Sequence, residues 1–68
     1  MTALVNGVPR SVAVGTTVAE LVAELGHDPK GRGIAVALNG AVTPRAAWPA
    51  IVMADGDRVE VLVAIGGG

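Results

Sequence analysis

The residues best suited to chemistry are the last ones, where Gly66, Gly67 and Gly68 precede the terminal carboxylate. With glycine at about 7% of average usage, a Gly-Gly ending arises by chance in roughly 1 chain in 200. Glycine has no Cβ, so this tail could thread a narrow channel and carry the carboxylate roughly 10 Å from a folded body. A carboxylate is a poor electrophile and reacts once a partner activates it, most simply as an acyl-adenylate made from ATP. The tail therefore predicts a substrate of other enzymes.

The other side chains that could act in catalysis or metal binding lack the partner residues that such a role needs. Asp55 and Asp57 supply too few ligands for a calcium loop, and a turn before a strand explains them better. His27 follows the predicted helix with no second residue to support catalysis. Ser11 is the only serine and lies in a predicted strand. With no cysteine and one histidine, no metal site is predicted.

Length and composition exclude several classes of protein. The 68 residues can form one small core, but not a second domain or a deep cleft with a lid, which disfavours a complete enzyme. A net charge of −1 and a single aromatic residue, Trp48, argue against a nucleic-acid partner. Mean hydropathy is +0.59, yet the apolar runs are too short to span a membrane. Since no signal peptide is visible, we expect a cytoplasmic domain.

Turn signals divide the chain into strands. The pairs Asn6-Gly7 and Asn39-Gly40 are strong hairpin signals, because both residue types tolerate positive φ. Pro9 has no N–H and therefore fits the start of a strand or a sheet edge. A short helical turn is expected near Trp48. The predicted strands are residues 3–5, 11–14, 34–38, 41–43 and 58–65.

One helix is predicted between the second and third strands. Thr17 and Glu20 have the S/T-x-x-E spacing of a capping box, and Gly26 is the expected C-terminal cap. Apolar residues at i, i+3, i+4 and i+7 form one stripe. These residues are Val18, Leu21, Val22 and Leu25.

The order β-β-α-β-β-β places this helix on one face of a mixed sheet. We therefore predict an α+β, β-grasp (ubiquitin-like) domain of about five strands over residues 1–65, followed by a flexible glycine tail at 66–68. The predicted core is Val5, Val12, Val14, Val18, Leu21, Val22, Leu25, Ile34, Val36, Leu38, Met53, Val59, Val61 and Val63. The other sheet face is either a set of scattered surface hydrophobic residues or a docking patch for another protein, and the tail favours docking. Its small apolar residues are Leu4, Ala13, Ala35, Ala37, Leu62 and Ala64.

Several short stretches of the sequence form a pattern that covers essentially the whole chain. They are VNG at 5–7, GTTVAEL at 15–21, VALNG at 36–40, VTPR at 42–45 with Trp48, DGDRVEV at 55–61 and the final Gly-Gly. Their order and spacing are more specific than any one of them, and together they resemble the sulfur carrier proteins of bacterial thiamine (thiazole) biosynthesis. Gly66 departs from the family pattern, which requires only the last two glycines.

The resemblance implies a carrier that is not itself an enzyme and binds no cofactor. An adenylating enzyme related to ubiquitin-activating enzymes would convert the Gly68 carboxylate to an acyl-adenylate, using ATP and magnesium. A persulfide donor would then replace AMP and leave a thiocarboxylate. Thiazole synthase would receive that sulfur.

Three alternatives stay open. The small subunit of molybdopterin synthase shares the fold and the thiocarboxylate chemistry, but the short length and the stretch from Pro44 to Trp48 disfavour it. A ubiquitin-type modifier would form an isopeptide, and Lys30, the only lysine, offers one site for chain building. In a plain non-covalent β-grasp module the glycines would be incidental.

Overall fold

The computed structural model describes residues 1–28, 30 and 32–64 of the chain. Within this part the chain forms five strands, one α-helix and one 3-10 helix. The strands are β1 (Thr2–Val5), β2 (Val8–Ser11), β3 (Ile34–Leu38), β4 (Ala41–Thr43) and β5 (Arg58–Val63), and the helices are α1 (Val18–Glu24) and a 3-10 helix (Arg45–Ala50). The predicted end of the last strand at Ile65, and the boundary between domain and tail, lie outside the described residues.

The strands form one mixed sheet in the order β2-β1-β5-β3-β4. β5 lies in the middle, parallel to β1 and antiparallel to β3. Helix α1 follows the first hairpin and buries Val18, Leu21 and Val22 in the core, together with the inward residues of the sheet. This is the β-grasp arrangement that the element order predicts.

The second strand begins earlier than the sequence suggests. We predicted it at residues 11–14, but β2 is Val8–Ser11 and pairs Val8 with Val5 across the two-residue Asn6-Gly7 loop. Asn6 has φ +50° and Gly7 has φ +80°, the positive values of a tight hairpin turn that returns the chain at once. Pro9 lies on β2, an edge strand, as expected.

Both ends of α1 have the predicted caps. Thr17 Oγ1 accepts a hydrogen bond from Glu20 N at 3.1 Å, and Glu20 Oε1 accepts one from Thr17 N at 3.0 Å, which completes the capping box. At the C-terminus Gly26 has φ +89° and donates to the carbonyl of Ala23, while His27 donates to that of Val22. This Schellman pattern ends the helix.

The predicted core is largely confirmed, with two errors and two omissions. The buried residues are Ala3, Val5, Val12, Val18, Leu21, Val22, Val36, Trp48, Met53, Val59 and Val61. Val14 is 87% exposed because β2 ends at Ser11, which leaves Val14 in the connection to α1. Val63 is 48% exposed because it lies beyond Val59, the last β5 residue paired with β1.

The omissions from the predicted core are Ala3 and Trp48. Leu25, Ile34 and Leu38 are partly buried and pack against the core. In the described part of the chain no helix is long and apolar enough to cross a bilayer.

Candidate functional site

The predicted reactive residues Gly66, Gly67 and Gly68 lie outside the described residues. The structure shows the segment that leads to them, which is the C-terminal half of β5. Because β5 is the central strand, it has neighbours on both sides, and they determine where the chain leaves the sheet.

On one side, β3 accompanies β5 to the last described residue. Ile34 pairs with Val63, and Ala64 N donates to Gly33 O at 2.7 Å. The backbone is therefore held on this side as far as Ala64.

On the other side, β1 stops short and the side chain of Asn6 takes its place. Pairing between β1 and β5 ends at Val5 and Val59, and Asn6 N donates to Val59 O at 2.8 Å. Beyond that point Asn6 Oδ1 accepts from Val61 N at 2.8 Å, and Asn6 Nδ2 donates to Val61 O at 3.3 Å. Sequence reasoning assigned Asn6 only to the turn and missed this role.

The start of β5 is fixed by the two aspartates considered as metal ligands. Asp57 Oδ2 accepts from Ala54 N at 2.7 Å and its Oδ1 accepts from Asn39 Nδ2 at 3.0 Å. Asp55 Oδ1 accepts from Thr2 N at 2.9 Å. The Asp57 carboxylate therefore closes the predicted turn, and that of Asp55 joins the turn to β1. The described residues hold no group of three or more His, Asp or Glu that could bind a metal ion.

The sheet face opposite α1 divides the predicted docking residues into two groups. Ala35 lies opposite Leu62, which is 65% exposed, so both stand beside the exit of β5 with Ala64. Leu4 lies opposite Arg58 at the other end of the strand. The charged Arg58 and Glu60 separate the two groups, because β5 residues of the same parity share a face.

Ala37, the remaining predicted docking residue of the sheet, is half-buried and lies opposite Glu60. It also pairs with Val42 of β4, which is 81% exposed and was missed because its strand was considered only as a hairpin return.

We call the apolar cluster on this part of the sheet face, near the exit of β5, the open-face patch. It consists of Ala35, Ala37, Val42, Leu62 and Ala64. Ala13 lies outside the strands and is not part of it.

Comparison with known proteins identifies the family. The ThiS family model matches residues 3–68. The chain belongs to the ThiS family. This ThiS-family chain is 35% identical over 68 residues to the sulfur carrier protein ThiS of Escherichia coli, and the match covers all of both chains.

Two longer relatives are each named thiazole synthase. The protein from Paramagnetospirillum magneticum is 35% identical over 68 residues, and that from Magnetococcus marinus is 40% identical over 63 residues. The ThiS-family chain spans 20% and 19% of their lengths, or about one fifth of each.

Solved structures confirm the β-grasp fold. The crystal structure of the thiamine biosynthesis protein ThiS from Geobacter metallireducens is similar to this ThiS-family chain, with a TM-score of 0.82 and 40% identity over all of both chains. The solution structure of a thiamine biosynthesis protein from the same organism has the same score and identity and is covered to 88% of its length.

Proposed function

We propose that this chain is a sulfur carrier of thiamine biosynthesis whose Gly68 carboxylate is the carrying group. The observation that supports this most directly is the end-to-end match with a sulfur carrier, which covers all of both chains. The glycine tail is the feature of the sequence best suited to covalent chemistry, and it follows the central strand β5 in the sequence.

The chemistry divides between the tail and its partners. An oxygen of the Gly68 carboxylate attacks the α-phosphorus of ATP on an adenylating enzyme, which forms the acyl-adenylate and releases pyrophosphate. The terminal sulfur of a persulfide then attacks the acyl carbon, and AMP leaves. A thiol cleaves the resulting acyl disulfide, is itself oxidised to a disulfide with the donor sulfur, and leaves the thiocarboxylate. ATP and magnesium belong to the adenylating enzyme in this scheme.

Thiazole synthase is the proposed recipient of the sulfur. Two relatives that carry this name include a segment similar to the whole or nearly the whole of this chain within a longer polypeptide. A carrier segment and a thiazole synthase within one protein are consistent with direct transfer between them.

The open-face patch is the proposed docking surface for these partners. Leu62 lies six positions before Gly68 in the sequence, so a protein that binds the tail can contact the patch in the same complex. Apolar residues grouped on an exposed sheet face are typical of a protein contact. Leu4, at the far end of the face, is proposed as a peripheral contact.

Intact-mass measurement after incubation with the adenylating enzyme, ATP and a persulfide donor tests the proposal. The expected result is a mass increase equal to the exchange of one oxygen for sulfur, absent from a control chain that lacks Gly67 and Gly68. Isopeptide-linked conjugates would instead show a protein modifier. No covalent change in any arm would show a non-covalent β-grasp module and would refute the carrier function.

A further inference from the structure

We propose that Asn6 is a positioning residue for the reactive tail, because its side-chain amide extends the sheet past the end of β1 and holds β5 at Val61. This inference rests on the proposed function. Asn6 acts through the β5 backbone, at Val59 and Val61.

The primary amide of asparagine reproduces both polar groups of a peptide unit, one donor and one acceptor. Asn6 uses both on the same residue, accepting from Val61 N at 2.8 Å and donating to Val61 O at 3.3 Å. Its own N–H bonds Val59 O at 2.8 Å. One residue therefore satisfies three backbone groups of β5 where a continuing strand would otherwise be needed.

Backbone hydrogen bonds along β5 alternate between the β3 side and the β1 side. This alternation explains why, among the described residues, only Asn6 supports Val61 on the β1 side. Arg58 O accepts from Asn39 N, and Ala64 N donates to Gly33 O, so the even-numbered residues of β5 bond toward β3. Val59, Val61 and Val63 consequently direct their N–H and C=O groups toward β1. Since β1 ends at Val5, the side chain of Asn6 is the last hydrogen-bonding partner of β5 on that side among residues 1–64 for which the structure gives positions.

Loss of the Asn6 side chain would shift the point up to which β5 is hydrogen-bonded on both sides. With Asn6 in place, β5 is held on both sides as far as Val61. Without its side chain, two-sided support would end at Val59, and the described residues from Glu60 to Ala64 would be held on the β3 side alone. Because a misplaced reacting group loses rate steeply with distance, a less fixed exit lowers the fraction of productive encounters with the adenylating enzyme.

Asn39 provides a matched control. It also precedes a glycine in a hairpin turn, with φ +51° against +50° for Asn6. Its Oδ1 accepts from Arg58 N at 2.9 Å, so it too satisfies a β5 backbone N–H, but at the start of the strand. Glycine adopts positive φ without steric cost, so Asn6→Gly and Asn39→Gly each remove only a side-chain amide.

The experiment compares adenylation of the two variants with that of the wild-type chain, followed as pyrophosphate release at a temperature where circular dichroism shows all three folded. We expect Asn6→Gly to lower kcat/KM by about five- to tenfold, and Asn39→Gly to leave it within about twofold. Asn6→Asp retains the acceptor for Val61 N and should recover part of the loss. Equal losses in both glycine variants, or no loss in Asn6→Gly, would overturn the inference.

Amide hydrogen exchange separates this result from a failure of the proposed function. Ala64 N bonds to Gly33 O, and its exchange reports fraying of the strand end. Asn6→Gly should accelerate exchange at Ala64 relative to Asn39→Gly. If the wild-type chain is not adenylated, the carrier function fails, while this exchange comparison still decides whether Asn6 holds the end of β5. Equal exchange at Ala64 in the two variants would refute the role of Asn6.

Discussion

The indole Nε1 of Trp48 donates a buried hydrogen bond to the main-chain oxygen of Thr43 at 2.9 Å. This bond joins the 3-10 helix to the last residue of β4. Trp48 is 1% exposed and belongs to the same core as the apolar residues of α1. Trp48 therefore connects the 3-10 helix to the sheet through this bond and to the α1 layer through packing in the core.

Trp48→Phe should lower the free energy of unfolding by about 2–4 kcal/mol, because it removes buried volume and the buried hydrogen bond from the indole N–H to Thr43 O. Urea unfolding followed by far-UV circular dichroism measures this, since the variant has no tryptophan fluorescence. Val42→Thr, at a position 81% exposed on β4, should change stability by less than about 0.5 kcal/mol. A similar effect in both variants would contradict the structural role of Trp48.

Thr17→Ala should destabilise the chain by about 1 kcal/mol, because Glu20 N loses its acceptor at the start of α1. Thr17→Ser keeps the hydroxyl and should recover most of the loss. A double-mutant cycle with Glu20→Ala is the measurement. The two losses should not add fully, because both residues belong to one capping box, and simple additivity would show that the two bonds act independently.

Leu62→Gln should raise the KM of adenylation about tenfold while the melting temperature changes little, because Leu62 is an exposed member of the open-face patch. Val14→Gln is the matched control, since Val14 is even more exposed and lies outside the sheet. Steady-state kinetics of adenylation measures the KM of both variants. An unchanged KM for Leu62→Gln would remove the patch from the docking surface.

Removal of Gly67 and Gly68 should abolish adenylation and leave the melting temperature unchanged. The described residues up to Ala64 already form the five-stranded sheet and its buried core, so the fold should not require the last glycines. Calorimetry and pyrophosphate release on the same sample measure the two effects. Retention of activity in the shortened chain would refute the carrier function, and a large fall in melting temperature would show that the tail contributes to folding.

Local turn chemistry made much of the fold predictable. The two Asn-Gly turns, the capping box and Gly26 each specify backbone geometry through neighbouring residues, and the structure contains all of them. The second strand was misplaced because Pro9 suggested a late start. A two-residue loop, however, requires pairing immediately after Gly7, and an edge strand accepts proline.

Features that depend on distant residues were not predictable. Trp48 is buried because the 3-10 helix carries its indole into the core formed by α1 and the sheet, and no periodic pattern indicates this packing. Asn6 already had a sufficient local explanation in its turn, so the sequence carried no further signal for a bond to Val61, 55 positions away. The docking face was predicted by alternation, but its division by Arg58 and Glu60 follows from strand register.

The position of β5 has a consequence for how the chain acquires its structure. The two hairpins join neighbouring segments, so each can form early from local contacts. β5 comes last among the described strands yet must insert between them, which closes long loops at an entropic cost. Assembly of the sheet therefore requires β5, the last of its described strands. During synthesis both hairpins would leave the ribosome before β5 is available to join them into one sheet.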